Sequence, residues 1–515
     1  MLARAAGLLF ARWQHLVAVS LLGLLSTSLI LEARGPGQVY VDESEWITAG
    51  YVAFKLLREC APLERWEHAF DERALGDWGN KNPPLGKYII GFAVTPHIYA
   101  DADAHYHWAP LKGADGKVAP RNLPPMAVLT AARSAVAACA GLALLGSYLV
   151  AFELTGSALW GALSALFLFF IPSFQFHAVR VYTDAPQIAL LLFGSHALLR
   201  FTQGGRFRWL VFGLLCGGLA CAVKFSSGAW WLAAVVYLGF SARNRSGGLV
   251  RRCAPLLAAG VVPLAGFIAV NPYLYRDPLT RSGALVQAWQ ASKALQRRNP
   301  QLAASAVNSD LQRFALVTAR GALAPTSAPF MQSAALDAAA RLTPSLLGLC
   351  AFGLLALWVA GFRLSLCADP RSLWRQCAWF MLGAAGEFVL TGNVTWFGGA
   401  CAVGSRSLAR QAWPAGPDAP RARAFACVLG STWLVTALWL PFDWSRYYLP
   451  LVSQMAGVYA LGTATLARAF AWTRRAGGYP IDSLPGGVAV GLAALVAAAL
   501  GWALFSVVTP PLLPN

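Results

Sequence analysis

Apolar runs close to the length of a bilayer crossing recur along almost the whole chain, separated by short polar punctuation. A membrane-spanning helix needs roughly 20 apolar residues. By that measure the runs at 16–31, 126–151, 158–176, 185–201, 209–223, 228–240, 254–270, 344–362, 425–441, 446–467 and 486–508 predict spans, the shorter ones completed by their flanks. The stretch 376–404 fits either one oblique helix or a hairpin turning at Gly392-Asn393. The expectation is an all-α polytopic membrane protein, one domain over 1–515, with about 12 or 13 helices at this spacing. Two long polar stretches interrupt the pattern, at 32–125 and 271–343. Within the first, Tyr88 to Tyr99 is apolar but too short to cross, which predicts a helix lying in the membrane interface.

Composition agrees: 57% of the 515 residues are hydrophobic, 12% are charged, and no large soluble domain fits between the runs. The net charge of +18 would raise the question of nucleic acid in a soluble protein. Here the basic residues fall in short clusters between apolar runs, the distribution that fixes cytoplasmic loops and meets anionic headgroups. Nucleic-acid binding is therefore excluded as a reading. Arg4 and Arg12 place the start of the first helix inside; Arg200, Arg206, Arg208, Arg243, Arg245, Arg251 and Arg252 then fall on the same side. Arg363, Arg371 and Arg375, and later Arg406, Arg410, Arg421 and Arg423, do so as well if 376–404 is a hairpin. Both long polar stretches then become outer loops. The first run lacks a convincing cleavage site after Leu31-Glu32-Ala33-Arg34, so it is expected to remain as an anchor. The ten cysteines include no CxxC pair and mostly lie in apolar runs, which implies neither a disulfide framework nor a zinc site.

That topology gathers four separated polar groups at one face. Val41-Asp42-Glu43-Ser44 follows the first helix; paired carboxylates suit general-base work, one taking a hydroxyl proton while the other positions the acceptor or a cation. Isolated, such a pair reads more simply as a solvated acidic turn. Asn80-Lys81-Asn82-Pro83-Pro84-Leu85-Gly86-Lys87 gives a rigid entry to the interface. It sets Lys87 at headgroup level, where a lipid phosphate or a simple snorkelling role awaits it. Arg180-Val181-Tyr182-Thr183-Asp184 brings a charge of each sign to a helix junction, where pairing or function must repay the cost. Asp443-Trp444-Ser445-Arg446-Tyr447-Tyr448-Leu449-Pro450 offers a guanidinium fork for phosphate oxygens and aromatics for a sugar ring or prenyl chain, or else an aromatic belt with an arginine anchor.

In this order the four groups resemble the GT-C glycosyltransferases, with the nearest likeness to protein O-mannosyltransferases and the related aminoarabinose transferases, which depend on a phospholipid-type carrier. Members of that group typically show an acidic pair and a His-Pro-Pro-Leu-like run in the first outer loop. The resemblance extends from residue 1 to about 470, and departs from the mannosyltransferase pattern where Asn82 stands in place of the usual histidine. The second outer loop, about 70 residues long, also has no room for the large soluble insertion of eukaryotic protein mannosyltransferases, which points to a prokaryotic member in the inner membrane with its site facing outward.

The resemblance implies a GT-C-type bundle and transfer of a sugar from a polyprenyl phosphate to a hydroxyl of a protein, lipid or glycan, in one inverting step. Asp42 becomes the catalytic base and Glu43 its orienting partner. Lys87, Arg180, Asp184, Arg446 and Tyr447 become the donor phosphate and sugar site, with Lys224 at a further junction. A divalent cation stays open as a cofactor: Asp101-Ala102-Asp103-Ala104-His105-Tyr106-His107 offers ligands, although a lipid-phosphate donor has no diphosphate unit for a metal to hold. Two other readings compete. A secondary transporter would suit the helix number, but transporters place ionisable groups near the midplane, and here the spans are nearly free of acid apart from Glu387. A non-catalytic lipid-binding member of the same fold would tolerate loss of Asp42.

Overall fold

The computed structural model describes residues 2–35, 39–66, 83–98, 124–243, 248–298, 306–307, 309–323, 370–391, 396–412, 418–441 and 445–472. Those residues form helices and connections without a β-strand. The protein is an integral membrane protein of the all-α class. Helices 13–33, 126–155, 225–242 and 419–439 are each long and apolar enough to cross a bilayer. The predicted spans at 344–362 and 486–508 lie outside the described residues.

Helix α1 runs Leu2–Ala33, α2 Val41–Arg58 and α3 Leu85–Val94. The stretch expected as one outer loop thus contains two helices, and its acidic pair occupies the first turn of α2 rather than a solvated turn. The predicted interfacial helix starts three residues earlier than Tyr88, directly after Pro84. Helices α2 and α3 pack at Gly50 and Gly91, where a Cβ on Gly91 would collide with the Gly50 carbonyl, so only hydrogen fits between the backbones.

The central helices follow the apolar runs closely: α4 Met126–Thr155, α5 Ala158–Phe169, α6 Pro172–Ala178, α7 Asp184–Gly204, α8 Phe207–Cys221, α9 Gly228–Arg243 and α10 Leu249–Ala269. Glycines in the left-handed region end α4 at Gly156 (φ 71°) and α7 at Gly205 (φ 62°). The predicted span 158–176 is broken: α5 and α6 meet at 77°, with Pro172 opening the second helix. That bend turns His177 and the following junction back toward α2 and α4. The remaining helices are α11 Pro278–Arg298, α12 Asp310–Thr318, α13 Pro370–Thr391, α14 Trp396–Ala412, α15 Ala419–Trp439 and α16 Ser445–Trp472. Helices α13 and α14 pack against each other, so 376–404 is a hairpin, although its tip at Gly392-Asn393 falls outside the described residues. Glu387, the acid inside this hairpin, is fully buried and its Oε2 accepts the Gly398 N–H at 3.0 Å.

The core sits where α4, α7 and α16 meet α5 and α14, lined by Leu144, Leu192, Phe397, Leu461 and Tyr459. Polar side chains concentrate at the two ends of α4 and α7. Each of these helices is about 30 Å or more long at 1.5 Å per residue, so the two polar sets are well separated.

Candidate functional site

One end of the bundle collects ionisable side chains from five separate segments. The first turn of α2 supplies Asp42 and Glu43, α4 supplies Arg133, the junction between α6 and α7 supplies Arg180 and Asp184, the corner after α8 supplies Lys224, and the first turn of α16 supplies Arg446.

Glu43 and Asp42 are neighbours with opposite surroundings. Glu43 is fully buried; Arg133 Nε and Nη2 donate to its two oxygens at 2.8 Å each, the Val181 N–H donates at 3.0 Å, and the Tyr40 N–H donates at 3.0 Å. A carboxylate accepts about four hydrogen bonds, so this one is saturated. Its work is to tie the start of α2 to α4 and to the α6–α7 junction. It also closes the first turn of α2 from the third helical position, while both acids face the positive end of the helix dipole. Asp42, one residue earlier, keeps 32% of its side chain exposed and receives Arg446 Nη1 at 3.3 Å. Its carboxylate therefore remains approachable while its backbone is fixed by its neighbour.

Asp184 opens α7 and is 1% exposed. Lys224 Nζ donates to its Oδ1 at 2.6 Å, and His177 Nδ1 stands 3.7 Å from its Oδ2, an oxygen without a hydrogen bond among the described residues. Burial pulls the Lys224 ammonium below its ordinary value against the attraction of Asp184. Arg446 lies in the field of Asp184 as well as Asp42, so the two carboxylates and two cations form one electrostatic unit. The Arg180 guanidinium lies against two rings set nearly perpendicular to each other, Tyr40 at 4.3 Å and Phe176 at 4.6 Å. Tyr447 lies alongside Arg446, its ring centre 5.6 Å from the guanidinium carbon.

Lys87 is placed differently from the sequence expectation. It is 1% exposed, and burial pulls its ammonium down to about 7. The cause is the docking of α3: the Leu85 N–H donates to the Ala222 carbonyl at 3.0 Å, and Gly86 lies against Thr183 and Val223 with no room for a side chain. The start of α3 is thus pinned to the corner between α8 and α7, and the Lys87 side chain is enclosed rather than displayed to headgroups. Asn80, Lys81, Asn82, Asp443, Trp444 and the segment 101–107 lie outside the described residues. Among the described residues no three His, Cys, Asp or Glu side chains gather into a metal site.

Sequence reasoning named Asp42, Glu43, Arg180, Asp184, Arg446 and Tyr447, and the structure brings these together. It did not name Arg133 or His177. Arg133 carried a usable signal, a guanidinium seven residues into an apolar run of spanning length, where a charge is costly without a partner. Arg133, Arg180, Lys224 and Arg446 stand among Asp42, Glu43 and Asp184, with Glu32 in the field of Arg180, so cations and carboxylates are nearly balanced across the cluster.

Residues 126–273 match the family model described as dolichyl-phosphate-mannose-protein mannosyltransferase. This stretch holds Arg133, His177, Arg180, Asp184 and Lys224, and the match bears out the resemblance to a glycosyltransferase family over the middle of the chain. Asp42, Glu43, Lys87 and Arg446 lie outside it. No curated protein sequence matches the chain. Among solved structures, ArnT from Cupriavidus metallidurans bound to undecaprenyl phosphate is similar at 15% identity and a TM-score of 0.40, over 98% of this chain and 66% of that one. The archaeal oligosaccharyltransferase AglB from Archaeoglobus fulgidus, in complex with an inhibitory peptide and a dolichol-phosphate, is similar at 12% identity and a TM-score of 0.45, over 95% and 55%. ArnT in the apo state gives 16% identity and a TM-score of 0.35, over 90% and 78%. This chain therefore spans just under two thirds and just over half the length of the first two, and likenesses at this distance do not assign residue roles.

Proposed function

We propose that this membrane protein is a glycosyltransferase that moves a sugar from a polyprenyl-phosphate carrier to a hydroxyl acceptor at the outer membrane face. The observation that carries the reading is Asp42, an approachable carboxylate held 3.3 Å from Arg446 at the end of an apolar bundle, beside the Asp184–Lys224 pair. The family match over 126–273, whose description names a lipid-phosphate sugar donor, supports the same donor chemistry.

In this mechanism Asp42 takes the proton of the acceptor hydroxyl as its oxygen forms a bond to the anomeric carbon. The bond from that carbon to the lipid phosphate breaks on the opposite side, so the configuration inverts. The departing phosphate monoester keeps the bonding electrons, and preorganised positive charge from Arg446 and Lys224 stabilises it without a general acid. Asp184 holds Lys224 in place, Arg180 and Tyr447 form the wall of the pocket, and Glu43 with Arg133 fixes the backbone that carries the base. Lys87, enclosed near the start of α3, acts as a support for this wall and not as a first contact of the phosphate.

The test is transfer by the purified full chain from radiolabelled polyprenyl-phosphate sugars to water or a hydroxyl acceptor, with Asp42→Asn alongside. Transfer by the wild type that collapses in the variant is expected. Absence of transfer from every such donor, or equal activity of the variant, would overturn the reading.

A further inference from the structure

A second polar feature lies outside this site. A cavity of about 260 Å³ opens between α11, α12 and the end of α15, and its lining shares no residue with the Asp42–Arg446 cluster. Gln290 and Arg297 contribute one wall; they are seven residues apart on α11 and so fall on one face of that helix. Arg313 of α12 contributes the other. Leu438, Trp439 and Leu440 form an apolar floor.

The charge of the lining is one-sided, with two arginines and no acid among its residues. Arg313 gives Nη1 to Asp310 at 2.8 Å, but that carboxylate is 79% exposed and shared with water, while the buried Nε of Arg313 makes no hydrogen bond. A buried guanidinium donor without an acceptor is costly and marks a place where a ligand oxygen fits. The floor fixes the level in the membrane. Helix α15 is long and apolar enough to span, and it ends on Leu438 and Trp439, which remain 58% and 42% exposed; a tryptophan at the end of a span sits at the headgroup boundary.

We infer that this cavity binds the phosphate of an anionic lipid headgroup, Arg297 and Arg313 gripping the phosphate oxygens while the apolar floor takes the glycerol and first methylenes. A free phosphate would satisfy the arginines but would leave the floor without a use, which favours the lipid. The inference stands apart from the sugar-transfer reading, because its readout is binding and requires no turnover.

The experiment is lipid retention by the full chain in detergent, followed by native mass spectrometry with phosphatidylglycerol or phosphatidylcholine added, and with inorganic phosphate as a competitor. At the usual worth of a lysine or arginine facing an anionic lipid, two arginines predict a preference for phosphatidylglycerol of about tenfold or more. Arg297→Glu, an exposed position whose change disturbs no packing, is expected to bring the preference near parity, and Arg313→Gln to reduce it. Equal retention of the two lipids by the wild type, or an undiminished preference in Arg297→Glu, would overturn the assignment. So would occupancy by inorganic phosphate without any preference between lipids, since it would identify a soluble anion as the ligand.

Discussion

The two ends of helices α4 and α7 carry buried carboxylates in unlike settings. Away from the site, Glu153 near the end of α4 is met by Arg200 at 3.4 Å and His196 at 3.8 Å, by the Gln203 amide, and through its carbonyl by Arg421 at 2.9 Å. These partners join α4, α7 and α15 at one point, and Glu153 keeps only 4% of its side chain exposed. At the site end, Glu43 is saturated with donors, but Asp42 beside it keeps a third of its side chain exposed and meets Arg446 at 3.3 Å. A carboxylate enclosed by donors holds helices together. One set next to such a clamp, yet left accessible, can do chemistry.

Asp42→Asn should show the largest effect, because it removes the base while leaving the clamp intact. Loss of general-base action costs about 10²–10⁴-fold in rate, and the melting temperature in detergent should stay close to that of the wild type. A variant that unfolds instead would mean that Asp42 is structural, like its neighbour. Glu43→Ala should act the other way. It leaves Arg133 buried, 3% exposed, without its carboxylate, at a cost of about 3–5 kcal/mol of stability, and activity falls with the amount of folded protein. Denaturation monitored by tryptophan fluorescence would check this, and unchanged stability would erase the contrast between the two acids.

Glu153→Gln should cost less, about 1–3 kcal/mol, since an amide oxygen still accepts from some of the same donors. Its turnover per folded molecule should match the wild type; a specific loss of turnover would show that the far end also takes part in the chemistry. Lys87→Met should have the smallest effect on turnover, its effect falling on the pH dependence of stability. The Lys87 ammonium is held at about 7 when folded, against about 10.4 in an unfolded chain. Between those values the unfolded chain binds the extra proton, so stability rises with pH from about 7 toward 10.4. The variant should be clearly more stable than the wild type at pH 6 and should melt with a flatter pH dependence across that window. An unchanged slope would show that Lys87 does not titrate there.

Much of the bundle was legible because lipid-facing and core helices share one signal, the length of an apolar run. Runs 126–151, 209–223 and 425–441 each became a helix with ends within a few residues, apart from the longer polar end of the last. The break in 158–176 was less visible: Pro172 marked it, but proline alone does not set a 77° bend, which depends on what the second half packs against. The first polar stretch misled more. The turn of helix at Asp42 depends on Glu43 accepting the Tyr40 N–H and on Arg133 from a distant segment, and local sequence shows only a short acidic motif.

The sequence by itself determined that the chain lives in a membrane, where its most apolar helices run, and which charged residues stand at their ends, because hydrophobic length and unpaired charge are properties of local composition. Only the tertiary structure decided which of those charges are spent. Glu43 and Lys87 looked as available as Asp42 and Arg446, yet packing enclosed the first two and left Asp42 open at the mouth of the site. Burial and partnership depend on residues far away in the chain, here 90 positions between Glu43 and Arg133 and 404 between Asp42 and Arg446.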